Sequence, residues 1–236
     1  MKNIYQIYHN TEIIPNYVKE NIKKLNPDYR YYLINFETGK QIIDKYFDNE
    51  LKLKIIKKID MLPRYCHKSD LLRYCLLYMF GGVYLDVDLE PLMSFDKMNV
   101  NNVDFMTSFG RGGNPYIINN EKVYPITSNG FIISSKGNPI LLNLINNIIS
   151  NGKLIDSNPI YRGENVEFLY NYLNNMCIEK GIILEPYKKI DIDNNSIYLL
   201  NHVAYGNIDS FVNNRTQLIR ANNPSYIFKR QTSGII

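Results

Sequence analysis

The chain has 236 residues, with 27 Lys and Arg against 23 Asp and Glu and no tryptophan. That length is room for one domain, or a compact domain with a small appendage. The net charge of +4 suits an anionic small molecule, or at most peripheral contact with an acidic membrane; with no dense Lys/Arg stripe in the sequence, it excludes nucleic acid as a partner.

The chain opens Met1-Lys2-Asn3-Ile4-Tyr5-Gln6, without the apolar core of a signal peptide, and no later run is long enough to span a bilayer. A cytoplasmic location is therefore expected. Ile4 to Tyr8 reads as a buried strand. Pro15 opens a helix along which Val18, Ile22 and Leu25 recur at helical spacing, and Asn26-Pro27-Asp28 stops it. Tyr31 to Ile34 is the next strand, so the first thirty-odd residues have the size of a βαβ unit.

Helices follow at about 39–48 and 50–61, and then a stronger one from His67 to Phe80, with Leu72, Cys75, Leu76 and Met79 on one stripe. Gly81-Gly82 ends it. Val83 to Asp88 reads as a strand. The stretch 99–124 is rich in loop residues. Asn129 to Ser134 is a short strand, Pro139 to Ile149 a helix, and 163–179 another. Short strands near 182–184 and 197–200 come before a polar tail. No repeat or linker divides the chain. Alternating elements predict an α/β fold with a mainly parallel central sheet and flanking helices. Cys66, Cys75 and Cys177 form neither a disulfide framework nor a zinc knuckle and point to a reducing compartment.

The chemistry is concentrated in Lys68-Ser69-Asp70-Leu71-Leu72-Arg73-Tyr74 and Gly81-Gly82-Val83-Tyr84-Leu85-Asp86-Val87-Asp88. Strand alternation puts Val83, Leu85 and Val87 on one face and Tyr84, Asp86 and Asp88 on the other. Two carboxylates so close repel unless a positive group lies between them, and their oxygens suit magnesium or manganese. Such an ion can stabilise a leaving diphosphate. Asp70 and Arg73, three apart on a helix, are neighbours beside the strand's end, where open α/β sheets bind ligands. Arg73 offers a planar fork to phosphate or sugar hydroxyls, and Asp70 an acceptor. Taken singly, each pair has an ordinary reading: a solvated strand end for Asp-x-Asp, an exposed helix pair for Asp70 and Arg73.

Joined, the string resembles the signature of glycosyltransferase family 32 and is similar to the glucosyltransferase domain of the large clostridial toxins. Asn3-Ile4-Tyr5-Gln6-Ile7-Tyr8 resembles the family's opening I-I-H-Q-I-W strand. Ile14-Pro15, Asn26-Pro27-Asp28-Tyr29 and Leu33 resemble its next helix and strand, and Ser128-Asn129-Gly130-Phe131 with Asn138-Pro139 its later ones. About residues 1–150 carry the likeness. It implies a single GT-A-type domain over 1–236, with a nucleotide-sugar part at about 1–110 and an acceptor or closing part at about 111–236. It further implies a retaining hexosyltransferase that uses Mn2+ or Mg2+, in a role such as polysaccharide biosynthesis. By position, Asp88 is the direct metal ligand and Asp86 meets ribose, sugar and, through water, the metal. Asp70 and Arg73 hold the donor sugar, Tyr84 lines the nucleotide pocket and Asn129 is a further donor contact. Tyr8 stacks on the base, or is simply a core tyrosine.

The chain departs from the pattern at Tyr5 and Tyr8, which replace the usual His and Trp, and at His202-Val203-Ala204-Tyr205-Gly206-Asn207, which lacks the usual Ser-Trp. His202 is either a last metal ligand or structural. His9 and His67 match no family position. A UDP-sugar is expected over a GDP-sugar, and the acceptor is expected to be a glycan or lipid-linked glycan, since the large helical insertions of the toxins are absent. Two other classes compete. A haloacid dehalogenase-type phosphatase also places Asp-x-Asp after an apolar strand, but usually near the domain start and followed by Thr or Val, where this chain has Leu89-Glu90-Pro91. A non-enzymatic calcium-binding or sugar-binding module is the other: an EF-hand loop needs Gly where Pro91 stands, and a catalytically degenerate transferase fold is opposed by the intact Asp70, Arg73, Asp86 and Asp88.

Overall fold

The structure is a computed structural model and describes residues 2–47, 49–98, 103–110, 116–118, 121–123, 126–150, 164–200 and 228–230. The elements run β1 (Asn3–Ile7), α1 (Asn16–Leu25), β2 (Arg30–Ile34), α2 (Phe36–Tyr46), α3 (Asn49–Met61), α4 (Tyr65–Phe80), β3 (Gly82–Leu85) and β4 (Leu89–Pro91). Next come β5 (Phe105–Phe109), β6 (Tyr116–Ile118), β7 (Glu121–Val123), β8 (Thr127–Ser134), α5 (Pro139–Ser150), α6 (Glu164–Glu179), β9 (Lys189–Ile192), β10 (Asn195–Leu200) and β11 (Phe228–Arg230).

The central sheet has seven strands in the order β2-β1-β3-β8-β5-β10-β9. β1, β2, β3, β5 and β10 run one way, while β8 in the middle and β9 at the edge run against them. The expected α/β sheet is thus mainly parallel, with one antiparallel strand inserted next to β3. Two apolar layers sandwich it. Tyr5, Tyr84, Phe105 and Ile132 pack with residues of α2 to α6 on one face; Ile4, Val83, Leu85, Met106 and Phe131 pack with Val18 and Ile22 of α1 on the other. The period-two alternation of β1 and β3 feeds both layers at once.

Local chemistry explains the boundaries. Asn35 caps α2, its side chain accepting from the Thr38 N–H at 2.9 Å, and Asn138 accepts from the Ile140 N–H at 2.9 Å at the start of α5. Gly81 closes α4 with φ 64°, its N–H bonded to the Leu77 carbonyl at 2.8 Å, and Gly82 follows at φ 117°. Side chains rarely adopt those angles, so the glycine pair lets the chain leave a buried helix straight into a central strand.

Three expectations need correction. α4 has no single apolar stripe: Leu71, Tyr74 and Leu77 are as buried as Leu72, Cys75 and Leu76, because the helix is covered by α2, α3 and α5 as well as by the sheet. The segment 99–124 is not merely loop, since β5 is a wholly buried strand there and β6 pairs with β7. Residues 182–184 form no strand; β9 takes the edge position beside β10 instead. The three cysteines are unpaired, with Cys75 and Cys177 buried. Among the described residues no helix is long and apolar enough to cross a membrane.

Candidate active site

The site forms where β3 ends. The strand stops at Leu85, and Asp86 to Leu89 is a tight turn in which the Leu89 N–H donates to the Asp86 carbonyl at 3.0 Å. The acidic pair therefore rides on a turn and not on the regular strand expected through Asp88. The alternation still holds up to the turn, with Val83 and Leu85 on one face and Tyr84 on the other. On the far side, Asp86 donates its N–H to the Gly130 carbonyl of β8 at 2.8 Å. A Cβ on Gly130 would lie 2.7 Å from Asp86 Oδ2, so a side chain there would push the Asp86 carboxylate aside.

α4 lies over this strand end and contributes Asp70, Arg73 and Tyr74. Arg73 is the hub. Its side chain is 5% exposed, pairs with Asp70 Oδ1 at 3.1 Å and with Asp86 Oδ1 at 3.2 Å. It also donates to the Asn129 carbonyl at 2.6 Å and the Ser69 carbonyl at 3.2 Å, and its guanidinium lies 4.2 Å from the centre of the Tyr84 ring. Burial works against its charge, but Tyr84, Asp86 and Asp70 outweigh that and hold its pKa above the ordinary arginine range. The planar fork matches several acceptors at once, which a lysine does not.

The remaining bonds close the cluster. Tyr84 donates its hydroxyl to Asp86 Oδ1 at 2.7 Å, and Asn129 Nδ2 donates to Asp70 Oδ1 at 2.9 Å and to the Tyr74 hydroxyl at 3.2 Å. Burial pushes the Tyr84 and Tyr74 hydroxyls above their usual titration range, so both stay neutral donors or acceptors at ordinary pH.

Five of the residues singled out from the sequence thus come together: Asp70, Arg73, Tyr84, Asp86 and Asn129. Asp88 is two residues on, partly exposed on the same turn. Tyr8 follows the end of β1, half-buried, and begins a run of rings: Tyr8 to His9 at 4.4 Å, His9 stacked on Tyr65 at 4.4 Å, and Tyr65 stacked on Phe36 at 5.7 Å. His202 lies outside the described residues. His67, one turn ahead of Asp70, is buried.

Arg73 also meets Ser69, Asp70, Asp86 and Asn129, and so ties the parts of the signature to one another. Sequence reasoning assigned no role to Tyr74, Gln6 or Gly130. The available signals were a phenol one residue after Arg73, a polar side chain inside an apolar strand, and a glycine inside another.

Residues 15–104 match the family described as glycosyltransferase sugar-binding region containing DXD motif. That span contains Asp70, Arg73, Asp86 and Asp88. The match supports the likeness to glycosyltransferase family 32 over the phosphatase reading. Relatives include inositol phosphoceramide mannosyltransferase 3 of Schizosaccharomyces pombe, 27% identical over 62% of this chain and 36% of that protein. Mannosyl phosphorylinositol ceramide synthase of Saccharomyces cerevisiae is 34% identical over 40% of this chain and 25% of that protein. The initiation-specific alpha-1,6-mannosyltransferase of Candida albicans is 27% identical over 37% and 22%. The alignments thus span about a third or less of the length of these relatives. Among solved structures, the PaToxG glycosyltransferase superposes with a TM-score of 0.50 at 18% identity, covering 75% of this chain and 72% of that one, a likeness of fold. The GT-A-type α/β architecture expected from the sequence is therefore the one found.

Among the described residues no group of three or more His, Cys, Asp or Glu makes a ready metal cage. Magnesium needs none: it is commonly held by one or two carboxylates, with substrate phosphates and water completing the shell. Two aspartates on one turn at a strand end have that donor chemistry.

Proposed function

We propose that this chain is the catalytic domain of a metal-dependent, retaining glycosyltransferase that moves a hexose from a nucleotide-sugar to a glycan or lipid-linked glycan. The observation that carries it is the buried Arg73, which ties the helix half of the signature (Asp70) to the strand half (Asp86) at the mouth of parallel strands.

Asp88 and Asp86 would hold Mn2+ or Mg2+, whose chemistry is to neutralise charge on the departing diphosphate. Asp70 and Asn129, already bonded to each other, present carboxylate and amide oxygens to the sugar hydroxyls. Tyr84 keeps Asp86 in one orientation by its hydroxyl. Arg73 fixes both aspartates and adds a positive field beside the donor's leaving group. Tyr8, half-buried and joined to the exposed Tyr65 through the His9 ring, supplies a ring face for the base. The donor part corresponds to about residues 1–110, and the acceptor side to the remainder.

The names of the relatives favour mannose as the sugar. That moves the first choice of donor from a UDP-sugar to GDP-mannose, and two of those names put the sugar on an inositol phosphoceramide, in keeping with a lipid-linked acceptor. Incubation with GDP-mannose or a UDP-hexose, Mn2+ and a panel of glycan and glycolipid acceptors tests the reading, with NMR of the product's anomeric proton. Transfer with retained configuration is expected. Inverted configuration would overturn the mechanism, and absence of transfer or donor hydrolysis with every nucleotide-sugar would overturn the function.

A further inference from the structure

The turn that carries Asp86 and Asp88 is held from behind by two residues to which no role has been given. The main-chain carbonyl of Asp86 accepts twice: from the Leu89 N–H at 3.0 Å, which closes the turn, and from Gln6 Nε2 at 3.1 Å. Gln6 is fully buried in β1, where every residue is buried. An amide side chain can face either way, and here the direction is fixed: the Asp86 carbonyl can only accept and so meets the Gln6 NH2 group, which turns Oε1 to the Tyr31 hydroxyl of β2, its donor at 2.6 Å. The chain of bonds crosses β2, β1 and the end of β3. An apolar side chain of the same length would pack equally well, so a fully buried amide is retained here against its desolvation cost.

We propose that Gln6, held by Tyr31, is a positioning residue that fixes the Asp86–Leu89 turn and with it the directions in which the Asp86 and Asp88 carboxylates leave the backbone. The geometry stands on its own; its consequence for turnover rests on the donor-site reading above. Gln6 does not touch the donor. It restrains a carbonyl whose neighbours do.

Gln6→Met keeps length and apolar packing but removes the donor, and Tyr31→Phe removes only the hydroxyl that holds it. Amide hydrogen exchange read by NMR needs no activity. The Leu89 N–H is expected to exchange roughly tenfold faster in Gln6→Met and a few-fold faster in Tyr31→Phe, with the β1–β2 ladder amides unchanged. Leu89 exchanging at the wild-type rate in both variants would overturn the proposal, and Tyr31→Phe alone decides it if Gln6→Met does not fold. In steady-state kinetics, kcat is expected to fall about tenfold in Gln6→Met with the donor KM within about twofold, a split that a purely structural role would not produce. Faster Leu89 exchange in a protein whose wild type transfers no sugar would leave the positioning intact and sink the transferase reading instead.

Discussion

The middle and the C-terminal end of α4 are differently built. Around the middle, Asp70, Arg73 and Tyr74 join Asp86 and Asn129 in a charged cluster. At the C-terminal end, Tyr78, Met79 and Phe80 line a cavity of about 500 Å3 with Tyr46, Phe47 and Leu142, and Phe80 meets Tyr46 edge to face at 5.2 Å. Both parts pack on the same sheet. The difference lies in what the sheet offers there. Where β3 ends and β8 begins, backbone carbonyls and the Asn129 amide stand ready to satisfy a guanidinium; at the opposite end α4 is closed by Gly81 and flanked by rings. Charge is tolerated inside this protein where strand ends provide partners, and that is also where a ligand can enter.

Substitutions in each part sharpen the contrast. Arg73→Met should have the largest effect, since it leaves two close carboxylates without their cation: a loss of about 3–5 kcal/mol in urea unfolding, together with loss of sugar transfer. Arg73→Lys should not restore transfer, because a single ammonium cannot reach Asp70, Asp86 and the Asn129 carbonyl together. Leu77→Ala, in the apolar half of the same helix, should cost about 2–5 kcal/mol by leaving a cavity. Its kcat should stay near wild type at a temperature where it remains folded. If Leu77→Ala lost transfer as completely as Arg73→Met, the two parts would not be separate in function.

The charged part was largely legible in the sequence. Asp70 and Arg73 at helical spacing, a glycine pair, then an apolar strand into two aspartates is a string whose parts can meet in only a few ways. Asn129 came from the resemblance alone, because a Ser-Asn-Gly string looks like any turn until β8 is seen to lie antiparallel to β3. That inserted strand hid other things as well. It separates β3 from β5 and turns the supposed loop into core. Gln6 was invisible for a different reason: an amide inside an apolar strand is recognisable only when its two partners, Tyr31 and the Asp86 carbonyl, are known from pairing registers. The end of β3 at Leu85 could not be read either, because side-chain alternation continues into the turn without a change in residue type.

A smaller effect follows from proton binding. Tyr84 and Tyr74 titrate above the ordinary tyrosine value, chiefly through burial. Below about pH 10 both states keep these protons; above it the unfolded chain releases them and the folded one does not. The unfolded state then binds fewer protons, so stability falls as pH rises. The urea midpoint should drop from about pH 9 to about pH 11, and drop less in Tyr74→Phe. An identical alkaline fall in that variant would mean that Tyr74 is not held neutral by its surroundings. The smallest effect is expected from Leu53→Ser on α3, which is 65% exposed and outside the charged cluster: within about 0.5 kcal/mol of wild type, and unchanged transfer.

The central claim is that the Arg73-centred cluster and its acidic turn form the nucleotide-sugar site. The most direct test is the melting temperature with GDP, UDP, GDP-mannose and a UDP-hexose, each with and without Mn2+, for the wild type and for Asp88→Asn. A ligand that binds only the folded state raises the melting point by mass action. A rise with one nucleotide that needs Mn2+ and vanishes in Asp88→Asn is the predicted result. No rise with any nucleotide, or a rise that Asp88→Asn keeps in full, would contradict it.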